Sequence, residues 1–369
     1  MTNGPIVLIL DAGGTNFEFR AVKDNADVAE PLVLPSHGDD LAACLRTIVE
    51  GFRGQRDTVG GKVDAISFAF PGPSDYANGI IGDLSNLPSF RDGVALGPML
   101  EDVFGIPVFI NNDGDLFTYG EALGGVLPEI NADLVSHGSH KRYRNLMGLT
   151  LGTGFGAGFV TDGLLLMGDN CAAAEIWCIR NRLDRDASAE EGVSIRAVRH
   201  AYAEKTGLAL EDVPEPVEIA AVADGKLPGD SEAAMYAFRR LGKVAGDAAA
   251  SAVTMLDGLV VVGGGLAGAW RHFLPEMVAE MNRGLSSVTG RGTISRTEMT
   301  VYNLEDPDQR TQFMRGAATQ VKVPGSGRMV PYDPQKRTGV AISKLGTAKA
   351  VSLGAYAIAA AHLGRVLTM

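Results

Sequence analysis

The chain has 369 residues, 46% of them hydrophobic and 21% charged, and carries a formal net charge of −11. This length predicts about two domains with well-buried cores, and an acidic chain without a basic stripe argues against nucleic acid as the main partner. Three cysteines do not make a disulfide framework, and neither a signal peptide nor an apolar run that could span a bilayer is found. We therefore expect a cytoplasmic protein without membrane attachment.

The first half of the chain predicts strands that end in glycine-rich or polar turns. The apolar, β-branched run PIVLILD predicts a buried strand, and the alternation over residues 16–23 predicts its hairpin partner. A helix is expected over residues 39–54, followed by strands at VDAISFAF and IPVFIN. The next helix is expected to start near Asp115, which suits an N-cap position.

The second half repeats this pattern. NLMGLTLGTGFGAGFVTDG predicts strand, glycine-rich turn and strand, and LDGLVVVGGGLAGA predicts a strand that runs into a helix. The Ala-rich residues 348–363 predict a closing helix. The likeness of the two halves favours an internal duplication. Residues 128–145 are expected to form a polar insertion whose KRYR run is a solvated face.

Two glycine-rich turns follow strands directly, over residues 11–16 and 151–156. Adjacent glycines let backbone N–H groups approach an anion, and a carboxylate at the strand end, Asp11, suits a hydrated Mg²⁺. Either turn alone could be an ordinary hairpin, but the pair predicts two cradles with a phosphate chain between them. Neither matches the Rossmann or Walker pattern. The candidate phosphate contacts are Gly13, Gly14, Thr15, Asn16, Gly152, Thr153 and Gly154.

Two further strand ends carry candidate site residues. Gly263, Gly264 and Gly265 either leave room for the flat ring of a nucleotide or form a tight turn with positive φ. Asn112 and Asp113 follow an apolar strand, where α/β folds place their ligands. A carboxylate there can take the proton of a hydroxyl nucleophile in phosphoryl transfer. An Asx-turn is the alternative, and it suits Asp115 better, so Asp113 is the candidate base.

In this order, DAGGTN, NND, LGTGFGAG, AAAEI and VVVGGG resemble the ROK family of sugar kinases, within the actin/hexokinase/Hsp70 superfamily. The resemblance spans nearly the whole chain. It implies an α/β fold of two actin-like (ribonuclease H-like) domains with a cleft that closes over a sugar. It places the N-terminal domain at residues 1–120, completed by the C-terminal helix 348–369 that packs back on it, and the C-terminal domain at residues 121–347. ATP and Mg²⁺ as cofactors and a homodimer are also implied.

The same resemblance implies roles for individual residues. Asp113 would be the catalytic base and would contact the sugar, while Asp11 would hold Mg²⁺ through water. The later family glutamate falls on Glu190, with Glu191 as the alternative. The implied sugar contacts are Gly72, Asn86, Asn112, Glu175 and Glu190.

The sequence departs from the family at one motif. The family's Glu-x-Gly-His, whose His binds structural zinc with a cysteine cluster, is replaced by a segment that ends in Trp177. Cys171 and Cys178 have no His partner nearby, so no zinc site is expected. Trp177 either stacks on an apolar sugar face or fills core volume, and we expect the core placement.

These observations predict an ATP-dependent kinase of a hexose or hexose derivative. A non-catalytic sugar sensor is the alternative, but the family's repressors carry an N-terminal helix-turn-helix, for which a first strand near residue 5 leaves no room. An ATPase of chaperone or cytoskeletal type is disfavoured by Asn112, Asp113 and Glu175, which suit a small polyol. The sequence leaves open which sugar and hydroxyl react and whether another phosphoryl donor replaces ATP.

Overall fold

The computed structural model describes residues 4–13, 15–72, 74–82, 88–290 and 292–364. Two predicted contacts, Gly14 and Asn86, lie outside the described residues. The described chain divides into two units. The first unit comprises residues up to 124, residues 165–173 and residues from 347 onward, and the second comprises residues 125–164 and 174–346.

Both units combine strands with helices, as the predicted α/β class requires. The strands are β1 (Val7–Ala12), β2 (Asn16–Lys23), β3 (Ala26–Asp27), β4 (Leu32–Pro35), β5 (Ala65–Ala69), β6 (Val108–Asn111), β7 (Leu146–Leu151), β8 (Phe155–Thr161), β9 (Leu164–Leu165), β10 (Leu259–Gly263), β11 (Gly284–Ser286), β12 (Thr293–Ser295), β13 (Thr300–Asn303), β14 (Thr319–Lys322), β15 (Met329–Tyr332) and β16 (Arg337–Ile342). The α-helices are α1 (Leu41–Thr58), α2 (Leu96–Phe104), α3 (Asp113–Gly124), α4 (Val126–Ser136), α5 (Ile195–Thr206), α6 (Pro216–Ala223), α7 (Ser231–Leu256), α8 (Trp270–Met281), α9 (Pro307–Arg315) and α10 (Thr347–His362).

The sheet of the first unit has the order β3-β2-β1-β5-β6, with β4 also paired to β2. β2 runs antiparallel to β1, whereas β1, β5 and β6 run parallel. Residues Val7–Leu10 are buried because helices cover this sheet. The closing helix α10 packs against α3 so tightly that a Cβ on Gly120 would overlap the backbone of Ala350. The predicted return of the C-terminal helix to the N-terminal unit is therefore confirmed.

The sheet of the second unit has the order β13-β16-β10-β7-β8-β9. An antiparallel pair, β7 and β8, is again followed by parallel strands, β10, β16 and β13. Each unit thus has one hairpin beside a parallel set, which agrees with the internal duplication expected from the sequence. Helices α7 and α8 meet through Gly242 and Gly246, whose side-chain-free surfaces lie against the α8 backbone.

Two sequence-based expectations are wrong. Helix α3 begins at Asp113, with Asn112 Oδ1 accepting the Gly114 N–H at 2.7 Å, so Asp115 is an interior helix residue that is 5% exposed and not the N-cap. Residues 128–145 are not a polar insertion, because their first part forms α4, which buries Ile130 and Leu134. The KRYR run is only partly solvated, since Tyr143 is buried and donates to the Arg337 carbonyl at 2.6 Å.

None of the helices within the described ranges is both long enough and apolar enough to cross a membrane.

Candidate functional site

In the first unit, two carboxylates share one recess at the carboxyl edge of the sheet. Asp11 lies near the end of β1 and Asp113 opens α3 directly after β6, and parallel strands bring their carboxyl ends to the same edge. Both line a recess of about 260 Å³ together with Phe70, Pro71 and Thr347 at the start of α10. The structure therefore brings together the predicted base and the predicted metal-binding carboxylate.

The electrostatic environment of Asp113 suits a general base. Asp113 is exposed where it lines the recess, but the protein around it still removes part of the water from its carboxyl, and this desolvation raises its pKa. The Gly114 N–H, which donates to Asp113 Oδ1 at 2.8 Å, lowers the pKa, whereas the negative charge of Asp11 raises it further. The net shift is upward, toward the pH at which a base accepts a proton most effectively.

Asp11 is suited to a cation that is held mainly by water and phosphate oxygens. Burial raises the pKa of its carboxyl, the charge of Glu18 opposite it in β2 raises it further, and Arg20 lowers it. In the described part of the chain no group of three or more His, Cys, Asp or Glu side chains could enclose a metal ion. Asp11 in this recess matches the way Mg²⁺ binds with few protein ligands.

The loop after β5 brings Gly72 next to Asn112. A Cβ on Gly72 would overlap the hydroxyl of Tyr76 and lie 3.3 Å from Asn112 Nδ2, so only glycine allows this approach. Tyr76 is buried and donates to the Phe70 carbonyl at 2.9 Å, which fixes the loop. Two predicted sugar contacts of this unit are thus neighbours. Sequence reasoning missed Tyr76, because nothing in its local pattern distinguishes a loop anchor from a core tyrosine.

The first glycine-rich turn joins β1 to β2. A Cβ on Gly13 would lie 2.7 Å from the Asn16 carbonyl oxygen, so the tight turn itself requires glycine there. Thr15 and Asn16 are exposed, and the Thr15 carbonyl accepts the Ser36 N–H at 2.9 Å. The turn is formed as expected, and its phosphate contacts stay a prediction.

The second glycine-rich turn, between β7 and β8, differs in this respect. Gly152 has no positive φ, and a Cβ on it would meet no protein atom within 4 Å. The Gly152 N–H donates to the Gly154 carbonyl at 3.0 Å, and the Gly152 carbonyl accepts the Ile195 N–H at 2.8 Å. Neither packing against described residues nor backbone conformation explains glycine at position 152, so space for a ligand remains there and the phosphate contact stays a prediction.

An acidic side chain from the segment before α5 and a basic side chain from the first turn of α5 contact this second turn. Glu190 Oε2 accepts the Phe155 N–H at 3.1 Å, and Glu190 Oε1 pairs with Arg196 at 2.9 Å. Glu191 is exposed and bonds Arg196 at 2.5 Å, which holds its pKa below the usual range. Glu190 therefore lies against the turn, and its predicted sugar contact stays a prediction. Sequence reasoning missed Arg196, which lies five residues past Glu191, at the start of α5.

The glycine run after β10 separates into distinct roles. Gly264 has φ +87°, and a Cβ there would lie 2.5 Å from the Leu151 N, so the tight-turn interpretation holds at this position. A Cβ on Gly265 would meet no atom within 4 Å, so space remains there for a ligand. Gly263 is the buried last residue of β10. The run thus packs beside the second glycine-rich turn, which starts at Leu151.

Glu175 is held by the residue that replaces the family histidine. Trp177 Nε1 donates to Glu175 Oε2 at 2.5 Å. Trp177 is 37% exposed, so the expected core placement is wrong. The cause is the short 3-10 turn Ile176–Cys178, which buries Ile176 and leaves Trp177 on the side of Glu175. Ala174, just before Glu175, has φ +64°, a strained conformation typical of functional sites.

Comparison with known proteins places this geometry in context. The sequence profile of the ROK family matches residues 7–296. The chain is 31% identical over 174 residues to the N-acetyl-D-glucosamine kinase of Vibrio cholerae, a match that covers 47% of this chain and 52% of that protein. It is 28% identical over 172 residues to the glucokinase of Thermotoga maritima, covering 45% and 48%. The chain thus spans about half the length of the curated relatives it matches.

Solved structures match over a greater length. The crystal structure of a glucokinase from Parabacteroides distasonis has a TM-score of 0.89 and 53% sequence identity, and the match covers 98% of this chain and 99% of that one. A ROK family glucokinase from Streptomyces griseus, solved with glucose and AMPPNP, has a TM-score of 0.61 at 19% identity and covers 95% and 98%. The second likeness supports the fold alone.

Proposed function

This chain belongs to the ROK family, and from that premise we propose that it transfers the γ-phosphoryl group of ATP to a hydroxyl of a hexose or hexose derivative. The observation that carries the proposal is Asp113, a carboxylate of raised pKa at a strand end, in a recess shared with Asp11 and next to Asn112. A phosphoryl-transfer enzyme needs such a base and little other covalent chemistry from the protein.

In this proposal the sugar hydroxyl attacks the γ-phosphorus in line with the leaving ADP oxygen. Asp113 accepts the hydroxyl proton at its carboxylate, and the Gly114 N–H keeps that carboxylate in position. Asn112 and Glu175 orient the sugar, and Asp11 is the residue that would hold Mg²⁺ through water. When bound, Mg²⁺ supplies positive charge that offsets the charge developing on the phosphoryl oxygens.

The phosphates are proposed to lie against the glycine-rich turns. Backbone N–H groups donate to phosphate oxygens without the cost of ordering a long side chain. The open space at Gly152 supports this role, because no contact with a described residue explains the absence of a side chain there. The open space at Gly265 is proposed to take the flat ring of the nucleotide. We further propose a cytoplasmic homodimer, as the resemblance to the family implies.

A substrate panel tests the proposal. The full chain is incubated with ATP, Mg²⁺ and glucose, mannose, fructose, allose or an N-acetylated amino sugar, and ADP release is followed by a coupled assay. The 53% identity to a glucokinase over nearly the whole chain favours glucose. We expect ADP release that requires a sugar and yields one sugar phosphate per ADP. Sugar binding by calorimetry without ADP release for any sugar would instead identify a non-catalytic sensor.

A further inference from the structure

A two-stranded arm lies between α9 and β16, over residues 317–334. Within the described residues its strands, β14 and β15, pair only with each other. Almost every residue of the two strands is exposed, so neither face of the arm is covered by the rest of the second unit. A two-stranded hairpin alone is only marginally stable in water. The arm therefore needs an anchored base, a partner, or both.

The base of the arm is firmly anchored. Asp333 accepts the N–H groups of Ala317 at 3.2 Å and of Gln335 at 3.1 Å, and it pairs with Arg337 at 2.5 Å. Arg337 is 1% exposed and donates to the Phe313 carbonyl at 2.7 Å. The buried guanidinium of Arg337 and the carboxylate of Asp333 fix the direction in which the arm leaves the sheet. A segment anchored in this way presents one defined surface rather than many loop conformations.

That surface is basic and partly apolar. The charged residues of the arm are Lys322, Arg328 and Asp333, and Asp333 is engaged with Arg337 where the arm joins the sheet, so the free end of the arm carries two cations in a chain of net charge −11. Lys322 and Arg328 are exposed and make no ion pair within the described part of the chain. They lie among exposed apolar side chains: Val321, Met329 and Tyr332. Two such arms would repel each other, so pairing of arm with arm is disfavoured.

A surface of the opposite character lies elsewhere on the same unit. Residues 204–232, from the end of α5 to the start of α7, contain eight carboxylates and two lysines. Arg240 and Arg199, from outside this segment, pair with Glu204 and Glu215, and the surface stays acidic. Glu211, Asp212 and Glu232 make no ion pair with any described residue. This acidic surface also exposes apolar side chains: Leu208, Leu210, Val217 and Leu227. It has the composition that a basic, partly apolar arm requires in a partner.

We propose that the arm of one copy docks on the acidic surface of a second copy. In a two-fold symmetric pair this contact occurs twice, so a modest contact suffices for a dimer. Opposite charges steer the encounter, while the aromatic, Met and aliphatic side chains lose water on docking. The inference rests on the proposed homodimer and is independent of the proposed kinase activity. It assigns to that dimer a specific pair of surfaces.

Charge reversal on the full chain tests the assignment, with mass measured by sedimentation velocity at low salt. Lys322→Glu with Arg328→Glu should raise the dissociation constant of the dimer at least tenfold, and 0.5 M salt should weaken the parental dimer because exposed charges are screened. Glu211→Lys with Asp212→Lys should weaken it alike, and combining both pairs should restore it. Arg53→Glu with Lys62→Glu, on the exposed surface of the first unit, is the matched control of equal charge change.

The outcomes separate the claims. A parental protein that is a monomer at every concentration overturns both the homodimer and the arm contact. A dimer that withstands the arm reversal as well as the control overturns the arm contact and leaves the homodimer. Dissociation by the arm reversal without restoration by the acidic-surface reversal overturns the assignment of the acidic surface. Circular dichroism of each variant confirms folding, and ADP release is measured separately, because the kinase proposal stands or fails independently of the mass.

Discussion

Gly152→Val tests whether the second glycine-rich turn holds a phosphate. The residue has no positive φ, and a Cβ there would meet no protein atom within 4 Å. The added Cβ therefore meets no described atom, and the backbone is not in the left-handed conformation that disfavours a side chain. We expect the free energy of unfolding to stay within about 0.5 kcal/mol of the parental value, as for other surface substitutions.

The effect on nucleotide binding should be much larger. A valine side chain occupies the space in which the phosphates are proposed to lie, and at least one charge-assisted hydrogen bond from the backbone is lost. Such a bond contributes about 1.5–3 kcal/mol, which corresponds to a rise of roughly tenfold to a hundredfold in the dissociation constant for ATP. The KM for the sugar should change far less, because the proposed sugar contacts lie on other residues.

Gly264→Ala is the matched control, since it is a glycine on the neighbouring turn that the fold itself requires. Its φ of +87° and the Leu151 N at 2.5 Å from an added Cβ predict strain of about 1–3 kcal/mol and a lower melting temperature. Thermal unfolding and calorimetric titration with AMPPNP distinguish the two cases. The reasoning fails at Gly152 if the valine variant binds AMPPNP with parental affinity, or if it melts as early as the Gly264 variant.

The remaining predictions concern single side chains of the two units. Trp177→Phe removes the indole donor to Glu175 but keeps an aromatic ring, so the KM for sugar should rise roughly tenfold with kcat nearly constant; an unchanged KM would leave Trp177 without a positioning role. Asp11→Asn removes a charge that raises the pKa of Asp113, so the acid limb of the kcat/KM profile should move to lower pH, and a limb that stays in place contradicts this coupling. Because the folded-state pKa of Asp113 is raised, its ionisation destabilises the fold as pH rises through that pKa. Asp113→Asn should therefore raise the melting temperature at pH 7. This gain should vanish as the pH falls below 3.8, the ordinary pKa of an aspartate. A variant that melts earlier than the parental protein at pH 7 would show that the carboxylate is not destabilising.

The local sequence pattern predicts those helices and strands that are determined by a single buried face or a single turn. β1 and the β7–β8 hairpin are predicted because their apolar runs end at glycine-rich turns, and α10 because its Ala-rich pattern is uninterrupted. The same reasoning predicts that Asp113 lies at a strand end. The sequence does not predict that Asp113 lies close to Asp11, because β1 and β6, which bring the two carboxylates together, are not consecutive along the chain.

Other features depend on contacts that the local sequence does not encode. Helix α4 is missed because its four buried apolar residues are interrupted by Glu129 and Asp133. The arm of residues 317–334 has no buried face, so no alternation of apolar and polar residues marks its strands. Trp177 and Ile176 are adjacent in one short turn, so only one of the two side chains can be buried. The packing of the unit buries Ile176 and leaves Trp177 exposed.

The most direct test of the central claim is the rate of sugar-dependent ADP release by the Asp113→Asn variant. Asparagine keeps the size of the side chain and can still accept the Gly114 N–H, so folding and sugar binding should persist. Loss of a general base lowers kcat by roughly 10²-fold or more, and we predict a loss of that size with a near-parental affinity for sugar by calorimetry. A variant that phosphorylates sugar at the parental rate would contradict the assignment of Asp113 as the base and with it the proposed mechanism.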